Sequence, residues 1–210
     1  MEKGYEYSSD FLTKDDADYL YGFMLTLLWV VDGANRRVSF GPQVKPILRP
    51  GQIRNANVLE SFPQTIIDLQ ARVEARYNCR FNSVECHLFE NETGKVDEHF
   101  DAPPGHIAML SVGQPRRFMV ANVPQNIWET YTLAHGSLLT FFWKIRHSMP
   151  AEKHPCAARI SVIFRYVPKG LVEIGVERAP AQKRMDLAEY EAAQPFLHTG
   201  IRKLYSDALK

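Results

Sequence analysis

Apolar side chains recur at helical spacing in the first third of the chain and in short, nearly continuous runs thereafter. After Thr13-Lys14-Asp15-Asp16, which has the form of a capping box, Ala17, Leu20, Tyr21, Met24, Leu27 and Leu28 predict a helix that ends near Trp29. Pro63 suits the first turn of a second helix, continued by Ile66, Ile67, Leu69, Gln70, Val73 and Tyr77. Between the two, from Asp32 to Gly51, the periodicity disappears and Gly and Pro accumulate. Arg36, Arg37, Lys45 and Arg49 bring positive charge to what reads as short strands and loops. Residues 32–60 are therefore a candidate substrate lid.

After Cys79 the texture changes to runs rich in Val, Ile, Phe and Tyr, separated by Gly, Pro and Asn. This pattern predicts an antiparallel sandwich or jelly roll, with strands over Ser83–Phe89, Ile107–Val112, Arg117–Ala121, Glu129–Leu133, Ser137–Trp143 and Arg159–Tyr166. From about Pro168 a helical texture returns through Met185–Ala193. The expected class is mainly β with flanking helices (α+β): one domain over 1–167 and a C-terminal helical appendage over 168–210, read as a helix covering the sheet edge.

Composition changes this picture little. The 210 residues are 45% hydrophobic and 23% charged, ordinary for a globular chain and against disorder. Lys and Arg number 25 against 24 Asp and Glu, so no global positive field marks a nucleic-acid binder, and a local basic patch stays open. Cys79, Cys86 and Cys156 form no CxxC pair and predict reduced thiols. The acidic and polar N-terminus does not read as a signal peptide, and the apolar run around Phe23 to Val31 is too short to span a bilayer. A cytoplasmic protein without a membrane partner is expected.

Candidate chemistry begins at His99-Phe100-Asp101, before a Pro-Pro-Gly turn. Two residues apart on an extended segment, His99 and Asp101 point to the same side. Such a triplet alone is weak, because His and Asp are common at turns. Its weight comes from His147, just after the run Gly136 to Trp143, twelve positions before Arg159, which is itself six before Arg165. Two histidines and a carboxylate make a facial triad for Fe(II), leaving three positions for a bidentate 2-oxo acid and O2. Arg159 and Arg165, an even number apart, face one side of a strand where guanidinium forks suit a dicarboxylate; the competing reading is a polar face of solvated arginines. His106, His135 and His198 read as ordinary turn or surface residues.

In order, H-x-D, the Gly136-Ser137-Leu138-Leu139 strand, His147-Ser148-Met149-Pro150 and R-x5-R resemble the AlkB-type dioxygenases over roughly residues 8–167. The leading helix with Trp29, the lid-like Arg37-Val38-Ser39-Phe40-Gly41, and Leu110-Ser111-Val112-Gly113 followed by Arg117-Phe118 extend the resemblance. It implies a double-stranded β-helix using Fe(II), 2-oxoglutarate and O2. His99, Asp101 and His147 would be the catalytic iron ligands, and Arg159 and Arg165 would anchor the two carboxylates of 2-oxoglutarate. Ser161 and His87 would add hydrogen bonds to it, and Arg37 and Phe40 would meet the substrate. His154 is the rival third ligand, but it precedes Arg159 by only five residues, closer than the family's usual distance.

Three positions depart from the family pattern. His87 and Phe89 stand where many members carry Asn-x-Tyr, so a phenolic hydroxyl is lost; Ser161 replaces the commonest Asn; and Pro103 occupies the place of an acid that helps hold a nucleobase. Two substrate classes therefore stay open: a methylated nucleic acid or nucleotide, demethylated with release of formaldehyde, and a small molecule or protein side chain, hydroxylated. A non-catalytic jelly-roll binding module would need five polar residues to fall in this order by chance.

Overall fold

A computed structural model describes residues 4–43, 57–59, 61–101, 105–122 and 127–167. The expected appendage at 168–210, the lid residues Lys45 and Arg49, and Pro103 lie outside the described residues.

Strand β1 (Tyr5–Ser8) is followed by helix α1 (Lys14–Leu25). The Thr13 hydroxyl accepts the Asp16 backbone N–H at 3.2 Å, and Asp15 and Asp16 place negative charge at the positive end of the helix dipole. The helix stops at Leu25 rather than near Trp29. Its last carbonyls are taken by side chains: Thr26 Oγ1 donates to Phe23 at 2.7 Å and Trp29 Nε1 to Met24 at 3.0 Å. Trp29 thus packs beneath the helix it was expected to end. Helix α2 (Gln64–Tyr77) starts directly after Pro63, whose φ is already helical, and ends where Asn78 adopts a left-handed φ of 47°.

The remaining strands are β2 (Val30–Asp32), β3 (Asn35–Phe40), β4 (Asn57–Leu59), β5 (Ser83–Phe89), β6 (Val96–His99), β7 (His106–Gly113), β8 (Arg116–Asn122), β9 (Ile127–Leu133), β10 (Ser137–Phe142), β11 (His147–Met149) and β12 (Arg159–Arg165). They form a large sheet in the order β1-β10-β7-β12-β5-β3-β2, with β4 beside β3, and a small sheet in the order β6-β11-β8-β9. Except for the parallel pair β3/β4, neighbours are antiparallel. This is the expected jelly roll.

One face of the large sheet, bearing Val38, Phe40, Val84, Cys86, Leu88, Leu110, Ile160, Val162 and Phe164, shares a core with Leu20, Phe23, Met24, Ile66, Leu69 and Val73 of the helices. The opposite face shares a second core with the small sheet, built from Tyr5, Phe89, Ile107, Met109, Leu139 and Phe141 against Phe118, Val120, Leu133 and Met149. Central strands covered on both faces need no polar alternation, so β7 reads as a nearly continuous apolar run in the sequence. Gly113, at φ +90°, closes β7 opposite Arg159. A Cβ there would meet the Ala158 carbonyl oxygen at 2.6 Å, so glycine admits β12 at this point. Cys79, Cys86 and Cys156 are free thiols, and among the described residues no helix is long and apolar enough to cross a membrane.

Candidate active site

The register assembles a polar floor on the inner face of the large sheet. One row across neighbouring strands runs Arg37, His87, Ser161, Ser111, Ser137. Arg159, paired with Phe89, lies in the row on one side of it; Glu85 and then Arg165 lie in the two rows on the other. Strand parity carries this arrangement, since Arg159, Ser161 and Arg165 are separated by even numbers while Ile160, Val162 and Phe164 turn toward the helices.

The small sheet brings the histidines above this floor. His99 at the end of β6 pairs directly with His147 of β11. Between His147 and Met149 the register slips, Met149 pairing with Val96, so Asp97 and Glu98 together oppose Ser148. Both of those acids are exposed while Val96 and His99 turn inward. This bulge re-aims His99 at the site. The ligand atoms of His99, Asp101 and His147 all lie within 4.8 Å of one another. Asp101 Oδ1 is 3.8 Å from His99 Nε2, and Oδ2 is 3.4 Å from His147 Nε2. Ligands about 2.1 Å from an octahedral ion sit about 3 Å apart on one face, which these separations approach.

The protonation states suit a cation. Nδ1 of His99 lies 2.9 Å from the Asp97 carbonyl oxygen and Nδ1 of His147 lies 2.9 Å from that of Ile145. A carbonyl only accepts, so each Nδ1 carries a proton and Nε2 is the ring nitrogen left to face the site. His147 is buried between Phe118 and Phe141, and burial presses its pKa down to about 4, keeping it neutral at pH 7. The donor set and its preset tautomers fit Fe(II).

Arg159 fits an incoming anion. It is buried, with Nη2 donating to Ser111 Oγ at 2.7 Å, Nη1 meeting Met149 Sδ at 2.7 Å, and Nε without a hydrogen-bond partner among the described residues. No carboxylate among the described residues pairs with it. Burial, then the nearby Arg116 guanidinium, lower its pKa to about 9, so it stays charged and lacks a counter-ion. The Phe89 ring lies 5.7 Å from both guanidinium carbons, a cation–π platform in place of the missing phenol. Arg116 itself is spent on structure, donating to the carbonyls of Asn91 at 3.1 Å, Gly94 at 2.7 Å and Pro150 at 3.3 Å.

Arg165, the second arginine expected to hold 2-oxoglutarate, lies between two protein carboxylates: its Nη2 donates to Asp101 Oδ1 at 3.2 Å and its Nη1 meets Glu85 Oε2 at 3.1 Å. Phe40 corrects the expectation of a substrate contact. It is fully buried in the helix-side core beside Phe62, because three residues after Arg37 it points to the opposite face of β3. Arg37 does face the site, paired with Asp32 at 2.9 Å and in a close ion pair with Glu85. His87 is partly buried beside Glu85, its Nε2 3.3 Å from Oε1, and desolvation followed by the Arg37 charge depresses its pKa to about 4. His154 is exposed in a surface cleft with Arg117 and Glu152, outside the triad.

Sequence reasoning missed Glu85 and Ser111. The signal for Glu85 was present: an acid inside an apolar strand, two residues from His87 and therefore on its face.

No family model matches the chain. Among curated proteins, human alpha-ketoglutarate-dependent dioxygenase alkB homolog 3 is 34% identical over 49% of this chain and 43% of its own length; the mouse protein is 32% identical over 49% and 43%. The chain thus spans less than half the length of the curated relatives it matches. Among solved structures, OsALKBH1 superposes with a TM-score of 0.58 at 14% identity, covering 80% of this chain and 98% of that one. Over about half its length the chain is thus similar in sequence to AlkB-type dioxygenases. A prolyl-4-hydroxylase from Pseudomonas putida also superposes, with a TM-score of 0.54 at 12% identity over 79% of this chain and 94% of its own, a likeness of fold alone. The His-Asp-His cluster therefore sits on a jelly roll of the fold that these solved structures share.

Proposed function

We propose that this chain is an Fe(II)- and 2-oxoglutarate-dependent dioxygenase whose substrate is a methylated nucleic acid or nucleotide, demethylated at nitrogen. The observation that carries the reading is the pairing of a preset His99-Asp101-His147 cluster with a buried, uncompensated Arg159 across a hydroxyl-lined floor. Bound iron and 2-oxoglutarate supply the oxidation: O2 and 2-oxoglutarate give succinate and CO2, and one oxygen atom enters a substrate C–H bond. A hydroxylated N-methyl group leaves as formaldehyde.

The protein's part is to hold and exclude. His99, Asp101 and His147 would hold the ion on one face. Arg159 would take the distal carboxylate of 2-oxoglutarate, with Ser161 and Ser111 offering hydroxyl donors and His87 a neutral imidazole on the same floor. Arg165 would hold Asp101 rather than the co-substrate. Phe118, Phe141 and Met149 keep water from His147 and Arg159. Fe(II), 2-oxoglutarate and O2 are the implied cofactors.

A second reading, hydroxylation of a small molecule or protein side chain, draws on one observation. The basic hairpin meant to meet phosphate is already neutralised: Arg36 pairs with Glu90 at 2.9 Å, and Arg37 with Asp32 and Glu85. The two readings separate in one experiment: anaerobically Fe(II)-loaded protein receives O2 and 2-oxoglutarate with methylated oligonucleotides, methylated nucleotides or neither, and succinate and formaldehyde are followed together. Formaldehyde coupled to succinate only with the methylated nucleic acid or nucleotide supports demethylation. Uncoupled succinate leaves the cofactor chemistry standing and moves the substrate to the second class. No succinate from iron-loaded protein sinks both readings.

A further inference from the structure

Beneath the metal-binding cluster runs a chain of alternating charges whose central member, Glu85, has no part in the proposed chemistry. Asp32 Oδ2 takes Arg37 Nε at 2.9 Å; Arg37 Nη1 pairs closely with Glu85 Oε1; Glu85 Oε2 meets Arg165 Nη1 at 3.1 Å; Arg165 Nη2 reaches Asp101 Oδ1 at 3.2 Å. Its centre, Glu85, has a side chain only 3% exposed, and at its two ends stand the β2–β3 hairpin and the carboxylate of the metal cluster.

We propose that Glu85 is a positioning residue for the metal centre: by occupying one arm of the Arg165 fork, it limits Arg165 to a single oxygen of Asp101 and leaves the other oxygen for the ion. The inference rests on reading His99, Asp101 and His147 as metal ligands. Guanidinium and carboxylate prefer a bidentate, fork-to-fork pair when nothing competes for either. In that arrangement both Asp101 oxygens would be held by Arg165, in competition with the metal. Glu85 blocks the end-on Nη1/Nη2 form of that pair by taking Nη1, so Nη2 meets Oδ1 while Oδ2 stays beside His147 Nε2, 3.4 Å away. Because Glu85 also holds Arg37, its own position depends on β3, tying the hairpin through Arg165 to the orientation of Asp101.

The test needs no turnover. Mn(II) binding to the full chain, without 2-oxoglutarate, is measured by electron paramagnetic resonance of the free ion and by calorimetry, with circular dichroism reporting folding of each variant. Glu85→Gln is expected to weaken Mn(II) binding about 10–100-fold, the usual cost of losing an outer partner of a ligand. In an Arg165→Gln background, where no fork remains to compete, the same change should cost nothing further. Should Glu85→Gln fail to fold, Glu85→Asp keeps the charge but is one methylene too short to span Arg37 and Arg165, and several-fold weaker binding is expected from it. Wild-type affinity in a folded Glu85 variant, or an equal loss in both backgrounds, overturns the proposal. Failure of the wild-type chain to bind Mn(II) at all is a different result, one that removes the metal-centre reading itself.

Discussion

Along β12, successive side chains face two media. Ile160, Val162 and Phe164 pack with the helices in a core without ionised partners on that strand, whereas Arg159, Ser161 and Arg165 face the small sheet and make contacts to hydroxyl, sulfur and carboxylate atoms. The helix-side residues stabilise the fold by apolar burial, which is insensitive to pH and to ligand. Those on the inner side place charge and donors where water is excluded, at a cost in desolvation that a bound ion and dicarboxylate would offset. Stability and binding are thus separable within seven residues of one strand.

The largest effect should come from the helix side. Phe164→Ala, at a fully buried position, is expected to destabilise the protein by about 3–5 kcal/mol in urea unfolding while leaving the 2-oxoglutarate affinity of the remaining folded protein near wild type. An affinity loss in step with the stability loss would break the separation of the two faces. On the inner side, Arg159→Met removes a buried charge that has no carboxylate partner among the described residues. Titration calorimetry of the metal-loaded protein should then show 2-oxoglutarate affinity falling by roughly 30-fold or more, the lower range for losing a buried charge partner. Its thermal midpoint should not fall. A lower midpoint with intact co-substrate binding would assign Arg159 to structure.

Acid should distinguish the faces more gently. His87 and His147 are held at about 4 in the folded protein, below the ordinary histidine value, chiefly by burial. Between about pH 6.5 and pH 4 the unfolded chain therefore binds protons that the folded chain does not. The contribution of these neutral imidazoles is present above the unfolded value and is lost as pH falls through that window. Urea unfolding of metal-free protein at pH 7 and pH 5 should show this loss, and His87→Asn should make it smaller; an unchanged difference would mean that His87 titrates normally in the folded state. The smallest effect is at the edge of the helix layer, where Thr13→Ala should cost about 1 kcal/mol through loss of the α1 cap, read as a small drop in melting temperature with no change in Mn(II) or 2-oxoglutarate affinity.

Much of this was legible in the residue pattern for identifiable reasons. The Thr13 cap, the helical spacing up to Met24 and the apolar runs at 83–89 and 159–165 are local signals, and the elements follow them closely. The short strands β1, β6 and β11 carry too few residues for a period to register, and each is held by pairing with a partner distant in sequence. Parity within β3 also separates two expected substrate contacts: Arg37 and Phe40 are three apart and cannot share a face, so Phe40 belongs with the core. Glu85 was visible as an acid in an apolar strand, but its partners Arg37 and Arg165 lie in strands far away along the chain.

By itself the sequence determined the two helices, the β-rich body and the identity of the groups able to bind a cation and a dicarboxylate, because helical period, strand composition and side-chain chemistry are properties of neighbouring residues. Tertiary structure decided which of those groups meet. Inter-strand register set His87 beside Ser161 and Glu85 between two arginines; a bulge in β6 turned His99 inward; and packing left Arg159 buried without a carboxylate partner among the described residues while Arg165 pairs with Asp101. Register and burial depend on contacts between residues far apart in the chain, and only the folded sheets bring those contacts into being.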